Sequence, residues 1–112
     1  MRENKEFFDT STLEWRKVTE KVYEKILSKD EETGSYTRLL RIEPGGKIEQ
    51  AQEHPFYEEV YIIKGSLTDL SLNKTFMEGM YAFRNPGMRH GPYVSESGCL
   101  TIEFRYYPQR KS

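Results

Sequence analysis

Residues 46–65 read GKIEQAQEHPFYEEVYIIKG, two short β-prone runs joined through Pro55 and bounded by glycine at each end. A strand period of two puts Ile48, Gln50, Gln52 and His54 on one face of the first run and Glu58, Val60 and Ile62 on one face of the second. If the pleat carries through residues 55–57, His54 and Glu58 point into one cavity. His90, the other of the chain's two histidines, follows the turn Asn85-Pro86-Gly87, which can return it to the same end. Two imidazoles with one carboxylate suit zinc, iron(II), manganese, nickel or copper, and with open positions they form the pattern of non-haem iron oxygenases. Periodicity alone leaves the alternative standing, two unrelated histidines on the surface or in a core.

On either side of this segment the chain breaks into short strand-like runs: VYEKILS, SYTRLLRIE, SLTDLSLN, TFMEG, MYAFRNPG, MRHGPYV and CLTIEFRYY. Gly, Pro, Asn and Asp separate them, the spacing of an all-β sandwich or barrel. The last run alternates, and its apolar set Leu100, Ile102, Phe104 and Tyr106 is expected inside. FYEEVYIIK carries apolar residues on both faces, so it is expected to be central, its second face covered by a partner subunit or by the N-terminal segment. Residues 1–20 are expected to form a charged strap, part of the same single domain as residues 21–112, with a short helical turn capped near Thr10 or Ser11 and aromatic residues that pack on the sheet.

Bulk properties narrow the function classes. Net charge is -1, with Lys and Arg interspersed among Asp and Glu, which argues against a nucleic-acid partner. Eight Tyr, six Phe and one Trp argue against disorder. Cys99 is the only cysteine, so no intramolecular disulfide forms, and a buried strand position is expected for it. No apolar run reaches the ~20 residues that span a bilayer, and MRENKEFFDTS has no signal-peptide core, so no membrane association and a cytoplasmic location are expected.

The spacing also resembles a known family. Gly46, Gln52, His54, Glu58 and Gly65 keep every interval of the first cupin motif, G-x5-H-x-H-x3-E-x6-G, with Gln52 in place of its first histidine. Gly79, Gly87 and His90 keep the second, G-x5-P-x-G-x2-H-x3-N, with the proline shifted to Pro86 and Val94 in place of the closing Asn. The runs KILSKDEETGSYTRLLRIEPGG, EHPFYEEVYIIKGSL and GMYAFRNPGMRHGPYVSESGCLTIEF resemble the cupin domain of ChrR-type anti-sigma factors and small dioxygenases that cleave acetylacetone or dihydroxyacetophenone.

That resemblance implies an antiparallel jelly roll, the double-stranded β-helix of the cupins, with one divalent ion at its open end: Fe2+ foremost, with Zn2+, Mn2+ or Ni2+ as alternatives. His54, Glu58 and His90 are the implied ligands. Gln52 is either a fourth ligand or a hydrogen-bonding group to bound water or substrate, and Glu58 serves the metal or acts in proton transfer. Arg38, Tyr81, Phe83 and Phe104 are candidate pocket residues, with Arg38 placed either inward or, preferentially, at a water-facing rim. The function implied is a dioxygenase cleaving a carbon–carbon bond of a small β-diketone or hydroxyketone. A non-catalytic metal-binding or ligand-sensing module and a metal-dependent sugar or small-acid isomerase or lyase are the alternatives, with a small molecule as ligand and a homodimer as assembly.

Overall fold

The computed structural model describes residues 1–107. After a helical turn at Thr10–Thr12, the described residues form nine strands: β1 (Arg16–Thr19), β2 (Val22–Lys29), β3 (Tyr36–Ile42), β4 (Gly46–Ile48), β5 (Tyr57–Asp69), β6 (Lys74–Met77), β7 (Tyr81–Arg84), β8 (Tyr93–Ser95) and β9 (Cys99–Tyr106). All pair antiparallel, in the order β1-β2-β3-β9-β5-β8-β4, with β6 and β7 also on β5. This is the all-β jelly roll that the motifs implied.

β5 organises it. Tyr57–Gly65 pair with β9 and Glu58–Tyr61 with β7, whereas Ser66–Asp69 pair with β6 on the other side of the roll. Two runs in the sequence are thus one strand, bent where the register shifts between Ile62 and Lys64 and at Gly65. Gly65 has φ +84, and a Cβ there would collide with the Gly98 carbonyl, so only glycine fits. Inside the curl, Val22, Leu40, Ile42, Ile62, Leu67, Tyr93 and Cys99 form the apolar core, with Ile48 and Phe76 against it. Cys99 is buried as expected.

The N-terminal segment covers the outer face of β2 and β3. Arg2 donates to Ser28 and Thr37, both at 2.8 Å, Lys25 donates to the Thr10 carbonyl at 3.0 Å, and Trp15 lies 4.6 Å from the cations of both Lys25 and Arg41. Asp9, one residue ahead of the expected position, caps the helical turn by accepting from the Ser11 amide. Arg16–Thr19 go further than a strap and pair with β2. Phe7 is fully exposed and packs on nothing.

Three expectations are corrected. β9 is inverted: Cys99, Thr101 and Glu103 are buried, whereas Phe104 is 38% exposed. Its polar set faces in because the interior at that level is ionic, with Glu103 paired to Arg38 at 2.8 Å. β5 is central, but its outer residues Tyr61 and Ile63 are exposed in the single chain rather than covered by the strap. Of KIEQAQEH, Lys47 and Ile48 lie in a strand, and Gln52 meets His90 in an isolated bridge.

Candidate metal centre

Two loops make the mouth of the roll, and their backbones are joined. The Gln52 amide donates to the His90 carbonyl at 2.6 Å, the His90 amide to the Gln52 carbonyl at 2.9 Å, and the Gly87 amide to the His54 carbonyl at 2.8 Å. The joined backbones bring the imidazoles together, with ring centroids 5.3 Å apart and His54 stacked on Phe56 at 4.6 Å. Glu58 enters from the start of β5 with 2% exposure. Ligand atoms of His54, Glu58 and His90 all lie within 4.8 Å of one another.

The donor set fits a metal ion. Among the described residues, Arg41 Nε, His54 Nε2 and His90 Nε2 are the buried side-chain polar atoms without a hydrogen-bond partner. Two orphaned nitrogens at one place are costly unless something binds them. Burial, then the Arg105 charge, lowers the His54 pKa. Burial, then Arg84, lowers that of His90 to about 4. Both rings are therefore neutral near pH 7, the form that ligates. On its other side, His90 Nδ1 lies 3.0 Å from the Tyr93 hydroxyl. Ligation through Nε2 requires the tautomer in which Nδ1–H donates to that oxygen.

Glu58 has further partners. Directly opposite it stand Arg84 on β7 and Arg105 on β9. Arg84 Nη1 donates to Oε1 and Arg105 Nε to Oε2, both at 2.6 Å. Arg84 also donates to the Tyr93 hydroxyl at 2.8 Å, and burial pushes the Tyr93 pKa up to about 12. Beyond Arg105 the ionic chain continues: its Nη2 lies 3.5 Å from Glu103, which pairs with Arg38, which reaches Glu24 at 3.2 Å. Burial opposes the charge on Arg38, yet Glu103 and Glu24, with Tyr36, hold its pKa above the ordinary value.

His54, Glu58, Arg84, His90, Tyr93, Glu103 and Arg105 line one cavity of about 230 Å³, which also has an apolar wall of Val22, Leu40, Ile42, Val60 and Leu67. Gln52 lines it too, its amide nitrogen turned to the Gln50 carbonyl at 3.1 Å. So does Arg38, buried and paired; the preference for a rim position is corrected because two carboxylates compensate its charge. Tyr81, Phe83 and Phe104 do not line it. They sit exposed on the outer face, where Tyr81 donates to Glu59 at 2.6 Å. Sequence reasoning passed over Arg84, Arg105, Glu103, Glu24 and Tyr93. The available signal was the alternation Thr101, Glu103, Arg105, which has the phase of an inward face once charges are allowed inside.

The profile of the ChrR cupin-like domain matches residues 3–106. No curated protein sequence matches. Among solved structures, an RmlC-like cupin from Shewanella frigidimarina is similar over 96% of this chain and 95% of its own, with TM-score 0.76 and 15% identity. A putative acetylacetone dioxygenase from Methylibium petroleiphilum is similar over 92% and 77%, with TM-score 0.77 and 16% identity. The complex of Rhodobacter sphaeroides SigE with the anti-sigma ChrR is matched over 83% of this chain and 49% of that one, with TM-score 0.68 and 21% identity. A roll built on these two motifs, matched by that profile along nearly its whole described length, places the chain in the ChrR cupin-like family.

Proposed function

We propose that this cupin holds one divalent ion on His54 and His90, with Fe2+ foremost, and cleaves a carbon–carbon bond of a small β-diketone or hydroxyketone with dioxygen. The pair of buried, unpartnered Nε2 atoms facing the cavity carries the reading. Similarity to acetylacetone dioxygenases supports the reaction class. When bound, a ferrous ion supplies Lewis acidity and a partner for dioxygen. Gln52 offers a third, neutral oxygen donor, and few protein ligands leave positions for substrate.

The remaining work falls to the wall. Its apolar part receives alkyl groups and keeps water out. Arg84 and Arg105 line the cavity, where they would meet ligand oxygens, and are held by Glu58, whose two oxygens already accept charged hydrogen bonds. That engagement favours an anchoring role for Glu58 over ligation or proton abstraction. Anaerobic loading with Fe2+, then oxygen uptake with a panel of diketones and hydroxyketones, tests the reading; absence of uptake with every compound sinks it.

The SigE–ChrR complex supports a second reading, a ligand-sensing module that binds a protein partner. Metal-dependent capture of a defined partner, without oxygen uptake, would favour it. We also infer a homodimer through the outer face of β5, β7 and β9, where Tyr61 lies opposite Tyr81, and Glu59 lies between Phe83 and Phe104. These aromatic residues are exposed side by side. Light scattering is expected to give a dimer, and Tyr61→Lys a monomer.

A further inference from the structure

The two imidazoles of the candidate centre are held by different means. His90 is fixed through its second nitrogen, Nδ1, which lies 3.0 Å from the Tyr93 hydroxyl. A hydrogen bond at that nitrogen is the usual device that orients a metal-binding imidazole. His54 has none. Among the described residues no hydrogen bond holds its ring, and its Nε2 is buried without a partner. The Gly87 amide donates to the His54 carbonyl at 2.8 Å, which fixes the backbone but leaves the ring free to turn about its side-chain bonds.

Phe56 is what restrains that ring. The two lie face to face, with centroids 4.6 Å apart and planes within 11° of parallel. Pro55 stands between them, and its locked φ narrows the placements that the two side chains can take relative to one another. Phe56 is itself pinned: Tyr107 meets it edge-on at 5.6 Å, and the Arg105 guanidinium carbon lies 5.0 Å from its centroid. Arg105 is fixed in turn, donating to Glu58 and to the Tyr36 hydroxyl, both at 2.6 Å. An imidazole flat against a pinned ring can slide in its plane, whereas tilting drives its edge into the atoms of Phe56.

We infer that Phe56 is the positioning residue of His54: its stack takes the place of the missing hydrogen bond and keeps the imidazole turned towards the point where the ligand atoms of His54, Glu58 and His90 come within 4.8 Å of one another. The inference rests on the metal reading above. It gives the two ligands separate supports, an aromatic face for His54 and a tyrosine hydroxyl for His90, so loss of the Phe56 ring loosens one imidazole and leaves the other in place.

The test uses the full-length protein, with Co2+ affinity read by calorimetry and the His54 ring read by NMR of the metal-free state. Phe56→Leu keeps an apolar side chain without a flat face, and Phe56→Tyr keeps the face. Phe56→Leu is expected to weaken Co2+ binding roughly tenfold, the lower end of what loss of an orienting partner costs a metal site, and Phe56→Tyr to stay near wild type. In the wild type the carbon-bound imidazole protons of His54 are expected upfield of ordinary histidine values, shifted by the Phe56 ring current, and to return to those values in Phe56→Leu. Hydrogen-exchange protection of the Gln52, Gly87 and His90 amides, which join the two loops, is expected to be unchanged. Equal Co2+ affinity in wild type and Phe56→Leu overturns the proposal and leaves the metal site standing. An equal loss in Phe56→Leu and Phe56→Tyr, or a loss accompanied by exposure of those amides, also overturns it, because Phe56 then supports the loop and not the ring. If Phe56→Leu does not fold, the wild-type spectrum decides, and ordinary His54 shifts overturn the stack. No Co2+ uptake by the wild type overturns both readings.

Discussion

His54 and His90 are the residues on which the proposed chemistry depends, each contributing a nitrogen with no other partner. His54→Ala and His90→Ala are expected to lose bound metal by elemental analysis, and Gln52→His to retain it; metal retained in both alanine variants contradicts the assignment. His90 also sets a pH dependence. The unfolded chain takes up its proton near the ordinary 6.5, whereas the folded ring takes it only near 4, so the unfolded state binds more protons between these values. Metal-free stability is therefore complete above pH 6.5, falls as pH drops towards 4, and loses nothing further from this group below that. The expected loss is up to roughly 2–3 kcal/mol, read by urea denaturation, with a shallower slope in His90→Asn. Glu58→Gln leaves Arg84 and Arg105 without their shared anion and is expected to cost about 3–5 kcal/mol in the same assay.

Among the elements, β9 departs furthest from its hydropathy pattern. Its sequence alternates well, and the phase chosen by hydrophobicity was the outer one, because Glu103 and Arg105 are compensated inside by Arg38 and Glu58 while Phe104 lies on an outer face. Burial is decided by pairing as well as by hydropathy, and a partner 65 residues away cannot be read from a local pattern. The candidate aromatics Tyr81 and Phe83 of β7 fell outside the cavity because β7 presents Arg84 inward beside Glu58. β5 depends on its bend. Gly65→Ala forces a side chain onto the Gly98 carbonyl at positive φ, and is expected to destabilise by more than about 2 kcal/mol in thermal or urea unfolding. A fully stable variant contradicts the described bend.

At the scale of the whole molecule, the small apolar core shares the interior with an ionic chain running from Arg84 to Glu24. A ligand that binds the folded state alone should raise the melting temperature as its concentration exceeds its dissociation constant. Fe2+ or Co2+ is expected to do so in wild type and not in His54→Ala, as read by scanning calorimetry. An all-β sandwich or barrel was legible in the primary structure, because turn glycines and a two-residue period are local constraints that each run carries on its own, whereas the jelly roll and the pairing of the two histidines were implied by the resemblance of the motifs. Which phase of β9 faces in, that Arg38 is buried, and that Glu58 is shared by two guanidiniums were decided only by the tertiary structure. Those outcomes rest on cross-strand pairs brought together by the curl of the sheet, and only in that enclosed interior are the pairings strong enough to override hydropathy.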